Sequence, residues 1–279
     1  MRALFFHELR KLVARRRSWI GFGAFAVLQL TLLALLQLPK PRAAVDRLLS
    51  QNALPFDEFY QGLTLAVVII AFTFTLLGAL FVALVGGDIV AKEVEEGTMR
   101  MLLSRPVSRL RLLAVKYAAC CGYTFALVLF LGLTALALAT AYRGGLGKLF
   151  VFIQAEGLFA TFDTAEGLWR YVRAVSCLAF ATITIASLAF MFSCFAMKPV
   201  SATVLTLTLF LGDLVLMNLP YFASLRHWFV SHHVGFWVRT FQDPVPWAEV
   251  AVSVAVVVGV SLSAFVIGAG RFCTRDLKG

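Results

Sequence analysis

The sequence predicts an all-α integral membrane protein: six transmembrane helices, an amphipathic interfacial helix before them, and short helices in a charged segment between spans two and three. Three observations predict this. Of 279 residues, 61% are hydrophobic, and the mean hydropathy is +0.87. Only 14% are charged, against roughly 25% in soluble domains, so the chain cannot cover a soluble globule with polar groups. Six stretches reach the roughly 20 apolar residues that a helical crossing needs. Runs this long and continuous fit helices, not barrel strands of alternating polarity. The whole chain, 1–279, reads as one transmembrane domain.

Residues 1–17 come first. On a wheel of about 100° per residue, Phe5, Phe6, Leu9, Leu12 and Val13 fall within an arc of about 120°. His7, Glu8, Arg10, Lys11 and Arg15 face away. This predicts a helix lying in the membrane interface and ending in Arg15, Arg16 and Arg17 at the lipid headgroups. The spans follow at Ser18–Leu38, Leu63–Gly86, Tyr117–Tyr142, Ala174–Met197, Val200–Leu219 and Ala248–Gly270. The first is too long for the apolar core of a signal peptide and lacks a small-residue cleavage site, so it reads as a retained span. Only Lys198 and Pro199 separate spans four and five, which predicts a tight hairpin.

Lys and Arg set the orientation. One side carries 16 of them and the other nine. The termini and the segment 87–116 are therefore expected in the cytoplasm, with the chain multi-pass in the cell's inner membrane. The net charge of +10 lies beside apolar runs, where it attracts anionic lipid. No basic groove with interleaved aromatics points to nucleic acid. The five cysteines show no CxxC and read as small apolar residues.

Gly87–Lys116 holds ten of the 40 charged residues. Asp88–Glu96 reads as a helix with Val90, Ala91 and Val94 on one side and Asp88, Lys92, Glu93, Glu95 and Glu96 on the other. Asp88/Lys92 and Lys92/Glu96 have i,i+4 spacing. Gly97 is a stop. Thr98 is a cap for a second short helix, Met99–Ser104, whose apolar Met99, Met101, Leu102 and Leu103 suit a groove on another protein. Pro106 ends that helix, and Ser108 caps span three.

This segment resembles the signature of the type-2 ATP-binding-cassette exporter permeases, in which an acidic run, Gly-Thr, a Leu-Leu pair, Pro-x-Ser-Arg and a Lys link spans two and three. The matching residues are Glu93, Glu95, Gly97, Thr98, Leu102, Leu103, Pro106, Ser108, Arg109 and Lys116. The chain departs from the pattern at Val94, where Arg is frequent, and at Arg100, where an acid is frequent; Arg105 adds a further positive charge. The resemblance implies a permease subunit that dimerises with a second copy or a paralogue and carries separate ATPase subunits. The coupling surface it implies runs over Asp88, Lys92, Glu93, Glu95, Glu96, Gly97, Thr98, Met99, Arg100, Leu102, Leu103, Pro106 and Arg109, with the N-terminal helix against the same partner. The chain itself is expected to bind no cofactor and to hold no catalytic residue, ATP and Mg residing on the partner. Its nearest approach to a phosphate-binding loop, Gly144-Gly145-Leu146-Gly147-Lys148, lacks the first Gly and the final Ser or Thr.

Asp213 is the only acid well inside a predicted span, and such a group is costly there. Thr206 lies seven residues earlier, nearly on the same face. Together they are a candidate transport path or a cation or proton site; the other reading of Asp213 is a protonated acid, a cross-helix hydrogen bond or a position nearer the interface. The loop 220–247 places Leu225, Trp228, Phe229 and Phe236 on one helical face, which predicts an interfacial or re-entrant element. His227, His232 and His233 are wrongly spaced for helical metal ligation, and no metal site is expected. The role of loop 143–173 is not legible. Two rival functions stay open. One is a proton- or sodium-coupled carrier using Asp213, which should show helix breaks at mid-membrane. The other is an intramembrane enzyme, which would need a second catalytic group at membrane depth.

Overall fold

The computed structural model describes residues 2–14, 16–52, 54–99, 108–153 and 157–274. Among them are six helices long and apolar enough to cross a membrane: within Arg16–Leu36, and at Gly62–Glu95, Arg109–Arg143, Thr164–Ser193, Pro199–Asn218 and Trp247–Thr274. The chain is an all-α integral membrane protein, as expected. A helix at Arg2–Ala14 precedes span one. Spans two and four are the most deeply buried, and the other spans pack around them. The core runs through all six spans, with Phe25, Ile70, Leu127, Phe190, Phe210 and Phe272 among its side chains.

Two glycines explain how span two can sit so centrally. A Cβ on Gly86 would lie 2.7 Å from the Ala189 Cβ and 2.8 Å from the Ala186 carbonyl oxygen of span four. One on Gly87 would lie 2.6 Å from the Thr203 hydroxyl oxygen of span five. Their bare backbone lets three helices meet closely, the small-residue packing that membrane helices favour. Span two was expected to end at Gly86, with a separate helix from Asp88. It continues instead as one helix to Glu95, with a π-helical turn at Phe74–Gly78. Nothing in Asp88–Glu95 breaks the backbone, so charge ended the apolar run without ending the helix.

Span four likewise begins at Thr164, well before the expected Ala174. Its first turns are polar because Glu166 and Arg170 pair one turn apart at 2.7 Å, an interaction that supports the helix while lowering its hydropathy. The loop before it is a β-hairpin. Strand β1, Leu149–Ile153, pairs antiparallel with β2, Leu158–Phe162, from Leu149 opposite Phe162 to Ile153 opposite Leu158. Between spans one and two lie the helices Pro39–Gln51 and Phe56–Phe59, neither predicted. The Tyr60 hydroxyl donates to the Leu36 carbonyl and ties this connection to the end of span one.

The segment after span five folds back onto the bundle in part. A 3-10 helix, Pro220–Trp228, is exposed. The short helix Val230–Val234 and a second 3-10 helix, Gly235–Phe241, turn inward and bury Val234, Phe236 and Phe241 against spans four and six. The expected shared face of Leu225, Trp228, Phe229 and Phe236 does not form. Trp228 is 76% exposed and Phe236 1%, because the chain bends at Phe229 between the two elements.

Candidate functional site

The N-terminal helix lies across the base of span three. Phe5 and Leu9 approach Gly122, whose added Cβ would meet them at 3.6 and 3.8 Å. Leu12 is buried, whereas Phe6 and Val13 remain exposed. The buried face is thus rotated by about 60° from the apolar arc, toward Glu8. Glu8, expected on the outer face, is 6% exposed. The reason is beneath it: Lys116 of span three is fully buried, and its ammonium sits 2.9 Å from Glu8 Oε2 and 2.8 Å from Glu93 Oε2. Lys11 of the N-terminal helix pairs with the other oxygen of Glu93.

These four residues form a closed charge cluster joining the N-terminal helix, the end of span two and the start of span three. Two ammonium groups and two carboxylates sum to zero. That balance matters, since isolating one charge away from water costs several kcal/mol while a matched set largely offsets its own desolvation. Glu93, expected on an exposed docking face, is 1% exposed. Asp88 is also buried. Both corrections have one cause: the helix carrying them continues the span, so the face that was apolar inside the membrane still points into the protein.

Glu95 and Glu96 do face outward, and Lys92 reaches Glu96 at 3.9 Å. Span two ends at Gly97, which takes the left-handed conformation with φ +72°, the stop that glycine allows without strain. Its amide donates to the Val94 carbonyl at 3.2 Å. The residues that Thr98 was expected to cap lie beyond Met99, outside the described residues. The Thr98 hydroxyl donates to the Glu93 carbonyl at 3.2 Å and so closes the preceding helix. Met99, expected to project toward a partner, is buried in the protein's own core at 1% exposure. Ser108 caps span three as expected, accepting from the Arg111 amide at 3.4 Å. Arg109 donates to the Cys273 carbonyl at 3.3 Å, linking the starts and ends of spans three and six. Arg100, Leu102, Leu103 and Pro106 lie outside the described residues.

At the opposite end of the bundle, Asp213 is half-buried and accepts from the backbone amides of Val230 at 3.3 Å and Ser231 at 2.6 Å. It caps the helix Val230–Val234 and ties that segment to span five. Thr206 is buried, and its hydroxyl donates to the Ala202 carbonyl at 2.8 Å within its own helix. The two residues therefore find separate local partners.

Arginines fasten the same end. Arg170 donates to Glu166, to the Gln242 carbonyl at 2.8 Å and to Asp243 at 3.2 Å, and its guanidinium lies 3.9 Å from the Phe162 ring centre. Arg173 donates to the Thr240 carbonyl at 2.7 Å. Arg239 donates to His232 Nε2 at 2.6 Å. Burial first, and then the Arg239 charge, push the His232 imidazole down to about 4. His233 bonds the Ser253 hydroxyl at 3.2 Å and the His227 carbonyl at 3.0 Å. His232 thus bonds within the segment, and His233 both within it and to span six.

Sequence reasoning missed the buried role of Glu8 and the partners of Lys116. The wheel held one usable signal: Glu8 sits between Phe5 and Leu12 at i+3 and i−4, on the face that Phe5, Leu9 and Leu12 define.

A stretch of 74 residues is 39% identical to the uncharacterized protein YhcI of Bacillus subtilis (strain 168), covering 26% of this chain and 24% of that protein. The match thus spans about a quarter of that relative's length. A family model described as ABC-2 family transporter protein matches residues 2–226. That range takes in the N-terminal helix, the charge cluster, the Gly97 stop and spans one to five. With six apolar helices around them, these features make the chain a membrane subunit of the ABC-2 transporter family, to which it belongs.

Proposed function

We propose that this permease subunit couples ATP hydrolysis by a separate ATPase to export of a substrate across the cell's inner membrane. The observation that carries the reading is the charge cluster of Glu8, Lys11, Glu93 and Lys116, buried at all but Lys11 and set one turn before the Gly97 break. A push on the segment from Gly97 to Pro106 by a partner is delivered to Glu93. Through Lys11 and Lys116 it reaches the N-terminal helix and span three together. The close packing at Gly86 and Gly87 passes the same displacement to spans four and five. A hinge glycine followed by a rigid, charge-locked lever suits a machine driven from outside the membrane.

In this reading Glu95, Glu96 and Lys92 offer charges to the ATPase, and ATP and Mg stay on that subunit. Two copies of the permease, or this chain and a paralogue, enclose the path. Both termini and the segment 87–116 face the cytoplasm. The proton- or sodium-driven carrier loses its main support, because Asp213 already holds two backbone amides.

The test is co-purification from native membranes followed by ATPase assay in proteoliposomes. A soluble ATPase bearing a Walker A loop is expected to co-purify, its hydrolysis stimulated by the permease. Glu95→Lys with Glu96→Lys is expected to abolish stimulation while leaving the permease folded. If the chain purifies alone and moves solute without ATP, the reading fails.

A further inference from the structure

We propose that the free edge of β2 binds an extended peptide as a third strand. A groove of about 460 Å³ runs along this strand, within the range of small-ligand sites. Residues 157–162 line one wall and residues 242–244 the other. Six consecutive residues on one wall are informative. Side chains alternate between the two faces of a strand, so a cavity over one face meets every second residue. A cavity that meets all of them lies along the backbone edge.

The pairing shows which groups that edge presents. The Phe150 amide donates to the Thr64 hydroxyl of span two at 2.9 Å, so it points away from β2. Phe150 and Thr161 opposite it are therefore a non-hydrogen-bonded pair, and Leu149, Val151 and Ile153 bond Phe162, Ala160 and Leu158. This leaves the backbone N–H and C=O of Phe159 and Thr161 on the free edge, the two residues about 7 Å apart. Among the described residues no other backbone group bonds them. Sheet edges are ordinarily blunted by Pro, Lys, a bulge or a covering segment. Thr64 covers the far edge of β1 in this way. The strand β2 carries no Pro and no charge, and its five pairs run without a bulge.

What completes such an edge is another extended backbone, which offers donors and acceptors at the same spacing. The second wall decides its kind. Arg170 lies over the Phe162 ring and donates to the Gln242 carbonyl and to Asp243, so it joins the two walls at one end. A strand already paired in a sheet, β2 of a second copy included, would carry its neighbour about 4.8 Å behind it, against residues 242–244. A single unpaired peptide brings no such neighbour. Asp243 is exposed and is the only charged residue lining the groove among those described, which favours a basic residue at one end of the peptide. The open edge also places the groove in water, since unpaired backbone is not tolerated in lipid. The inference rests on the β2 edge alone, so it stands or falls apart from the ATP-coupling reading.

Fluorescence anisotropy with the full chain in nanodiscs tests it, empty nanodiscs giving the background. The probe is a labelled peptide of alternating Thr and Val that ends in Lys. Saturable binding is expected, and roughly ten-fold weaker binding once the peptide amides are N-methylated, since the hydrogen bonds they donate are then lost. Thr161→Pro is expected to weaken binding by a similar factor at unchanged melting temperature, because the Thr161 amide takes no part in the pairing with β1. Phe159→Pro removes the other outward amide and serves if the first variant unfolds. Absence of saturable binding, binding indifferent to N-methylation, or binding unchanged in both proline variants overturns the proposal. Ala160→Cys in a cysteine-free background is expected to give no disulfide between copies in the membrane. Such a disulfide assigns the edge to a second copy and overturns the proposal as well.

Discussion

At the residue scale, Lys116 sits in a demanding environment. It is fully buried and stabilised by two carboxylates, one of them shared with Lys11. Removing one member of such a set leaves an uncompensated charge, at a cost of about 3–5 kcal/mol. Lys116→Met is therefore expected to lower the melting temperature in detergent sharply. Adding Glu8→Gln should recover part of the loss, because the surviving Lys11–Glu93 pair is neutral; a double-mutant cycle measures the recovery. His232 gives a pH-dependent counterpart at the other end of the molecule. Its folded value of about 4 lies below the ordinary 6.5, so the unfolded chain takes up a proton that the fold refuses. The stabilisation is complete above 6.5 and is lost as pH falls from there through about 4. Melting curves at about pH 7.5 and about pH 5 are expected to converge in His232→Gln relative to the native protein. Asp213 is expected to tolerate Asn, which still caps a helix, and to lose about 0.5–2 kcal/mol on change to Ala. Transport abolished in Asp213→Asn with the fold intact would restore Asp213 as an ion site.

At the scale of elements, Gly86 and Gly97 do different jobs with the same residue. Gly97 has open space around a missing Cβ but a positive φ of 72°. Ala there is expected to cost about 1–2 kcal/mol in backbone strain alone. Gly86 is helical and crowded, so Gly86→Val must push span four away and should destabilise more. Thermal melts of the two variants check the order. The same contrast shows what could be read without coordinates. A run of apolar residues signals a span, because every such segment must satisfy its own backbone in lipid. It does not say where the helix stops. Asp88–Glu95 and Thr164–Arg173 are charged and still helical, the former because its carboxylate Glu93 has a buried partner, the latter because Glu166 and Arg170 pair locally. The hairpin of β1 and β2 was invisible because each strand is short and apolar, a pattern shared with interfacial loops.

At the scale of the whole molecule, the four-charge cluster and the arginine clasps fix opposite ends of one bundle. The six spans were legible from length and hydropathy. The cluster was not, since Lys11 and Glu93 are 82 residues apart and Glu8 and Lys116 are 108 apart, and pairing over such separations leaves no local pattern. The N-terminal helix should move with span three as one body. In a cysteine-free background, a short bifunctional thiol reagent is expected to cross-link Leu9→Cys to Gly122→Cys, since the Leu9 methyl lies 3.8 Å from where a Cβ on Gly122 would be. ATPase stimulation should survive that cross-link; its loss would show that the helix must leave span three during the cycle.

The separations also order the chain's birth. Glu8 and Lys11 leave the ribosome long before Glu93, and Lys116 comes last of the four. Until span three emerges, Glu93 has only Lys11 to meet, and Glu8 lacks the ammonium it bonds in the finished fold. Docking of the first helix is thus a late event in biogenesis, completed by a residue synthesised more than a hundred positions downstream. A chain truncated before Lys116 would expose that unfinished acid to quality-control proteases.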